Sequence, residues 1–329
     1  MKSFLLVTFA LLSTFVAFAQ RSPKQAVPII LDTDIGPDYD DVGAMAILHA
    51  LTDRGEAQPL AVISSNKDPL IVPTIDVMNT YFGRPNLPTG APKGPGPDMG
   101  ATQKWPGMLV EKYPHRIQST ADAPDAVATY RQILARQPDH SVTIVTIGFL
   151  TNLADLLASG PDAHSKLAGT ELVKKKVKQL VSMAGDFPKG REFNVFMDSV
   201  ASQKVFTAWP TPVVLSGFEI GKRIKTGLRV VADGTLQGPV KDVYAWCMPK
   251  SPDDRDGRMS WDQTAVLVGI RGIKPYFGLK RGRMVVEKNG SNTWQDDPNG
   301  PHTHLIEAMP IPQVTEVIET LMMHRPKAE

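Results

Sequence analysis

Residues 27–45, VPIILDTDIGPDYDDVGAM, constrain the fold of this chain more than any other stretch. The short apolar run at 27–31 reads as a buried strand. It delivers five aspartates at Asp32, Asp34, Asp38, Asp40 and Asp41, and a small-residue helix pattern follows at once. Carboxylates this close repel one another unless a cation sits among them or some hold protons. Because the cluster follows a buried strand, it reads as a metal or acid/base site. The competing reading is a solvated loop whose Asp40 and Asp41 merely complement a helix dipole.

The first nineteen residues carry one lysine and then a long apolar run that ends in Ala17-Phe18-Ala19, a small-x-small cleavage pattern. They read as a secretory signal peptide removed near Ala19, which implies a secreted or periplasmic protein without a membrane anchor. Ser13 and Thr14 interrupt the apolar run and argue against an uncleaved anchor. No later segment is long and apolar enough to span a bilayer. Residues 20–329 suit a single large α/β domain with a sizeable core. The formal charge of +2 offers no argument for nucleic-acid binding. Cys247 is the only cysteine, which excludes an intrachain disulfide and a zinc–thiolate cluster.

Along the chain, helix patterns at 40–52, 71–82 and 124–137 alternate with apolar runs at 59–64 and 142–147. Residues 87–116 are rich in proline and glycine and read as a long irregular excursion of the kind that caps sites. The run at 142–147 opens into Gly148-Phe149-Leu150-Thr151-Asn152, where a new helix starts. The basic run at 174–178 reads as a solvated face. A strand at 179–184 breaks at Gly185-Asp186, and Glu192 to Asp198 leads into a helix that ends near 209. A fifth strand at 212–216, a helix at 260–271, a hairpin at 283–286 and 292–295, and a helix at 312–324 complete the reading. The alternation predicts an open, mostly parallel central sheet with helices on both faces. Ligands bind such sheets at the carboxyl ends of the strands. The aspartate block, Asn66, residues 148–152 and residues 186–194 all fall at strand ends, so they can converge on one crevice.

An EF-hand starting at Asp32 requires glycine at its sixth position and glutamate at its twelfth; Pro37 and Gly43 stand there. A haloacid-dehalogenase-type phosphatase also places D-x-D after its first strand, but here Ile35-Gly36 follows and three further aspartates would repel a phosphoryl group. The ordered set of motifs resembles the inosine–uridine preferring nucleoside hydrolase family. It comprises the aspartate block, the strand-end Asn66, Gly148-Phe-Leu-Thr-Asn152, Glu192-Phe-Asn194 and Ser260-Trp-Asp262, and spans about 27–270. That resemblance implies an open α/β fold with a calcium ion at the carboxyl edge of the sheet, and hydrolysis of the N-glycosidic bond of a nucleoside. By motif position it implies Asp34, Asp41, Asp262 and the carbonyl of Ile147 as calcium ligands, with Asp34 also the general base. Asp40, Asn66, Glu192 and Asn194 would hold the ribose. It also allows a homo-oligomer, as family members are often dimers or tetramers.

The sequence departs from the family pattern in three places. The block is two residues longer between Gly36 and Asp40, which leaves Asp38 open between supporting the ligands, contacting the substrate and holding the metal, and Asp32 as a neighbouring support. The usual His-Gly segment is replaced by Gly94-Pro-Gly-Pro-Asp-Met-Gly100. Trp261 stands where purine-active members carry a histidine linked to protonating the leaving base. An indole cannot supply that proton, so Trp261 either stacks on the base or packs in the core. His302 and His304, read as lying in a loop, are the candidate replacements; His115 and Tyr244 are weaker ones, and Glu219 follows a strand beside the crevice. A calcium-dependent sugar or nucleoside receptor without chemistry is the alternative on the same fold.

Overall fold

The computed structural model describes residues 25–326, and the expected leader lies outside them. Twelve strands occur among the described residues. They are β1 (Val27–Thr33), β2 (Ala57–Ser64), β3 (Thr89–Gly90), β4 (Val142–Thr146), β5 (Val177–Met183), β6 (Lys189–Gly190), β7 (Val213–Ser216), β8 (Lys225–Thr226), β9 (Arg258–Met259), β10 (Phe277–Val286), β11 (Asn292–Asp296) and β12 (His302–Glu307). Ten of these form one sheet in the order β3-β2-β1-β4-β5-β7-β12-β10-β11-β6. Pairing is parallel from β3 through β12, and antiparallel from there to β6. The two remaining strands, β8 and β9, form a separate antiparallel pair.

The alternating side-chain directions of β1 explain the layers. Ile29 and Leu31 point into a core shared with the helices Asp40–Asp53, Trp261–Arg271 and Ile311–Met322, whereas Ile30 enters a second core with the helix Ala126–Arg136. Both faces of the sheet are thus covered, as a buried parallel strand such as the uninterrupted VTIVT of β4 requires. The helix Trp261–Arg271 lies close over β4 because residue 269 is glycine: a Cβ there would meet the Val145 side chain at 2.4 Å. Every residue of the first helix from Asp40 to Leu51 is buried, so its two leading aspartates are not a solvated acidic face.

Several expectations need correction. Residues 87–116 are not uniformly irregular, since they contain β3 and the helix Trp105–Lys112. The basic run at 174–178, by contrast, is solvated as read: Lys174 and Lys175 are exposed in the last turn of the helix Gly169–Lys176, where lysines complement the helix dipole, and Lys178 is exposed in β5. The helix after Glu192 is two pieces, Phe193–Met197 and Ser199–Ala208, joined at Asp198. His302 and His304 lie in strand β12, not in a loop, and β12 continues the parallel part of the sheet beside β7. None of the helices is long and apolar enough to cross a membrane among the described residues.

Candidate functional site

A cavity of about 250 Å³ opens at the carboxyl ends of the central strands. Asp34 and Asp38 reach it from the loop after β1, and Asp40 from the first turn of the following helix. Ile147 follows β4, Met183 ends β5, and Glu192, Phe193 and Asn194 come from the turn beyond it. Phe218 follows β7, while Arg258, Trp261 and Asp262 close the far wall. Residues distant in sequence meet here because parallel strands bring all their carboxyl ends to one edge.

Burial and mutual repulsion dominate the electrostatics. Burial, then Asp41, then Asp38 push the carboxyl of Asp34 well above the ordinary range. Asp262 is raised in the same direction by burial and then by Asp40, Asp41, Asp38 and Asp34. Asp41 rises to about 7 through burial and Asp40, although Thr33 donates its hydroxyl to it. Among the described residues no cationic side chain forms an ion pair with these three carboxylates, and burial and other carboxylates are the largest causes that raise them. Oxygen donors that lack a counter-charge suit a hard divalent cation. Asp34, Asp41, Asp262 and the Ile147 carbonyl therefore fit such an ion by the chemistry of the donor set. The tightest carboxylate group among the described residues is a different one, Asp38, Asp40 and Asp262, whose oxygens lie within 4.8 Å of one another. We favour the former set for an ion, because Arg258 already neutralises Asp38 and Asp40 at 2.8 and 2.7 Å.

The remaining side chains have structural partners. Asp40 binds Arg258 through Oδ1, while its Oδ2 accepts the backbone N–H groups of Trp261 (3.1 Å) and Asp262 (3.3 Å). Glu192 caps the helix Phe193–Met197: its carboxylate accepts from the N–H of Asn194 (2.8 Å), Val195 (3.1 Å) and Gly185 (3.2 Å), and burial pushes it up to about 7. Asn194 donates its amide to the carbonyls of Ile147 (3.2 Å) and Met183 (3.3 Å), which orients a proposed ion ligand. Trp261 stacks on Phe218 with ring centroids 5.1 Å apart and donates its indole N–H to the Phe218 carbonyl at 2.9 Å. Gly148 permits the loop after β4 to touch Asp34, since a Cβ there would stand 2.5 Å from the Asp34 nitrogen.

Other candidates lie outside this cavity. Asn66 spends its amide on the Asp34 carbonyl (3.1 Å) and the Met99 carbonyl (2.8 Å), and its Oδ1 accepts the Met99 N–H. It braces Asp34 from behind and is not on the cavity wall. Asp32 points to the opposite face of the sheet, where Tyr130 (2.8 Å) and Asn152 (3.0 Å) donate to it and burial raises it to about 7. Asn152 also donates to the Ser64 carbonyl, so the Thr-Asn motif knits strand ends together. His302 is buried and accepts the Met284 N–H at 3.0 Å. His304 lines a neighbouring cavity with Glu219, 4.0 Å away, and is stacked on Phe187. Tyr244 is sealed in the core with Gln263 donating to its hydroxyl, and His115 is near the Tyr113 carbonyl. No residue of 87–116 lines the cavity. Sequence reasoning missed Arg258, Phe218 and Met183. Only Arg258 had an available signal, since a buried acidic cluster calls for a nearby cation.

The profile of the inosine–uridine preferring nucleoside hydrolase family matches residues 29–309. Among characterised relatives, the chain is 29% identical over 204 residues to the pyrimidine-specific ribonucleoside hydrolase RihA of Klebsiella pneumoniae, covering 60% of this chain and 62% of that protein. It is 32% identical over 210 residues to the RihA of an Enterobacter species, again covering 60% and 62%. The matched part thus spans about three fifths of these relatives. The purine-preferring ribonucleoside hydrolase from Gardnerella vaginalis superposes with a TM-score of 0.70 at 15% identity, covering 90% of this chain and 98% of that one. An inosine–uridine preferring nucleoside hydrolase from Bacillus anthracis gives 0.68 at 16%, covering 90% and 99%. At these identities the structural likeness is one of fold.

Proposed function

Because the chain belongs to the inosine–uridine preferring nucleoside hydrolase family, we propose that it hydrolyses the N-glycosidic bond of a nucleoside or related N-riboside in a secreted or periplasmic setting. The observation that carries this reading is the meeting of Asp34, Ile147, Glu192, Asn194 and Asp262 in one cavity. The family sets aside the phosphatase alternative.

Asp34 takes the proton of the attacking water. The water oxygen bonds to the anomeric carbon while the carbon–nitrogen bond breaks and its electron pair leaves with the base. Asp34, Asp41, Asp262 and the Ile147 carbonyl would hold a calcium ion, which supplies polarisation of that water and charge compensation when bound. Asn194 keeps the Ile147 carbonyl turned toward that position. Asp40, Glu192 and Asn194 would hold the ribose hydroxyls from the cavity wall. The Phe218–Trp261 pair supplies an aromatic wall for the base and excludes water from it.

The test is a screen of purine and pyrimidine nucleosides, with and without chelator, that measures free base and ribose. Ribose release that requires calcium, and is lost in a folded Asp34→Ala variant, is expected; full turnover by that variant ends the mechanism. One observation favours a second reading, a calcium-dependent nucleoside or sugar receptor. The cavity wall includes no histidine, tyrosine or cysteine to protonate a leaving base. Tight ribose binding without turnover would support the receptor, and ribose accumulation would exclude it.

A further inference from the structure

Nothing in the motif set assigns a role to Arg258, yet it is the most heavily engaged side chain on the cavity wall. Its Nη2 lies 2.8 Å from Asp38 Oδ2 and 2.7 Å from Asp40 Oδ1, and its Nε lies 3.3 Å from the same Asp40 oxygen. Nη1 faces Asp254 at 4.0 Å. The guanidinium packs over two aromatic rings, with its carbon 4.8 Å from the Tyr39 centroid and 5.0 Å from that of Trp261. The side chain is 11% exposed. A guanidinium keeps its charge at any working pH, so this is a permanent cation inside the acidic site.

Its position matters because Asp38, Asp40 and Asp262 bring carboxylate oxygens within 4.8 Å of one another. That spacing is one that a divalent ion can bridge. Arg258 fills this role at two of the three. It takes one oxygen of Asp38, and it shares Asp40 with the N–H groups of Trp261 and Asp262, leaving neither Asp40 oxygen without a donor. Asp34 and Asp41 have no such partner and are raised chiefly by burial and by other carboxylates.

We infer that Arg258 is a resident counter-cation that divides the acidic cluster: it reserves Asp38 and Asp40, so the cavity accepts one divalent ion fewer than its carboxylates would otherwise hold. This deepens the calcium reading of the site. It also gives Asp38 a partner, and it keeps Asp40 out of the ion's shell.

Calcium binding to the full, chelator-stripped chain by isothermal titration calorimetry tests the inference. Arg258→Gln is expected to bind one more ion per chain than the wild type. Arg258→Lys, which keeps the charge, should match the wild-type count, and adding Asp38→Asn to Arg258→Gln should abolish the extra ion. Equal counts in the wild type and Arg258→Gln overturn the inference. A wild type that binds no calcium ends the calcium reading of the function but leaves the expected difference in place, so the two failures are distinguishable. If Arg258→Gln does not fold, Arg258→Met, which retains an apolar stem against Tyr39 and Trp261, is read in the same way. If neither folds in chelator, calcium should restore folding by replacing the lost charge; chains that stay unfolded in saturating calcium overturn the inference.

Discussion

Asp32→Asn is expected to stabilise the protein by an amount that grows with pH. Asp32 is fully buried, and desolvation, only partly offset by its hydrogen bonds, raises its carboxyl from 3.8 to about 7. The folded protein therefore holds a proton that the unfolded chain has already released. Stability is full below the unfolded value of 3.8 and falls as pH rises toward 7. A rise of roughly three units at about 1.4 kcal/mol each puts the burial cost near 4 kcal/mol at pH 8. Asparagine has nearly the same shape and no charge, and its carbonyl can accept the bonds from Tyr130 and Asn152. In urea unfolding with calcium chelated, Asp32→Asn should match the wild type near pH 4 and exceed it by roughly 4 kcal/mol at pH 8. Because Asp32 does not line the cavity, kcat should be unchanged. A stability gap that does not vary with pH, or a variant less stable at pH 8, would refute the burial argument. A folded variant without turnover would refute the placing of Asp32 outside the chemistry.

Three further outcomes follow from the geometry. His49, buried against Phe82 and bonded to Asn79, has its pKa depressed to about 3 by burial and by Arg84. It stays neutral while the unfolded chain protonates near 6.5, so between pH 7 and pH 5 the wild type should lose about 2 kcal/mol more unfolding free energy than His49→Gln. Gly148→Ala should lower kcat/KM about a hundredfold with little change in secondary structure by circular dichroism, because its Cβ would displace the Asp34 backbone and Ser65. Arg131→Met should cost about 3 kcal/mol in urea unfolding and leave kcat intact, since the buried guanidinium clasps Asp162, Ser159 and the carbonyls of Ser165 and Leu167 away from the cavity.

The parallel core was legible because its signals are local. A strand buried on both faces is a continuous apolar run, as in β4, and the helices between strands carry their own periodicity. The half of the sheet beyond β7 was harder to read. In β12, His-Thr-His-Leu-Ile-Glu mixes polar and apolar residues, and its histidines are buried by contacts with Phe206, Phe187 and Trp294 that no local pattern encodes. The helix Trp105–Lys112 was hidden by proline and glycine around it, although proline at a first turn is compatible with a helix.

The site divides along the same line. Asp34, Asp40, Glu192, Asn194 and Asp262 line one cavity, and each belongs to a compact motif at a strand or helix end. Asn66 shows the limit of that method: its motif position was read as a sugar contact, while its amide is committed to the Asp34 and Met99 backbone. Arg258 marks the opposite failure. It sits in a stretch, Asp253-Asp-Arg-Asp-Gly-Arg258, that reads as ordinary solvated charge, and only the β8–β9 pairing turns that stretch toward the first helix. Local charge patterns cannot separate an arginine that meets water from one that meets the buried Asp40 and the half-exposed Asp38. Electrostatics can, since carboxylates packed this closely behind a buried strand must be relieved by a cation or by bound protons. The chain supplies part of that relief through a guanidinium set over the rings of Tyr39 and Trp261, and Asp34 and Asp41, which this cation does not pair, are the carboxylates for which we propose an ion from solution.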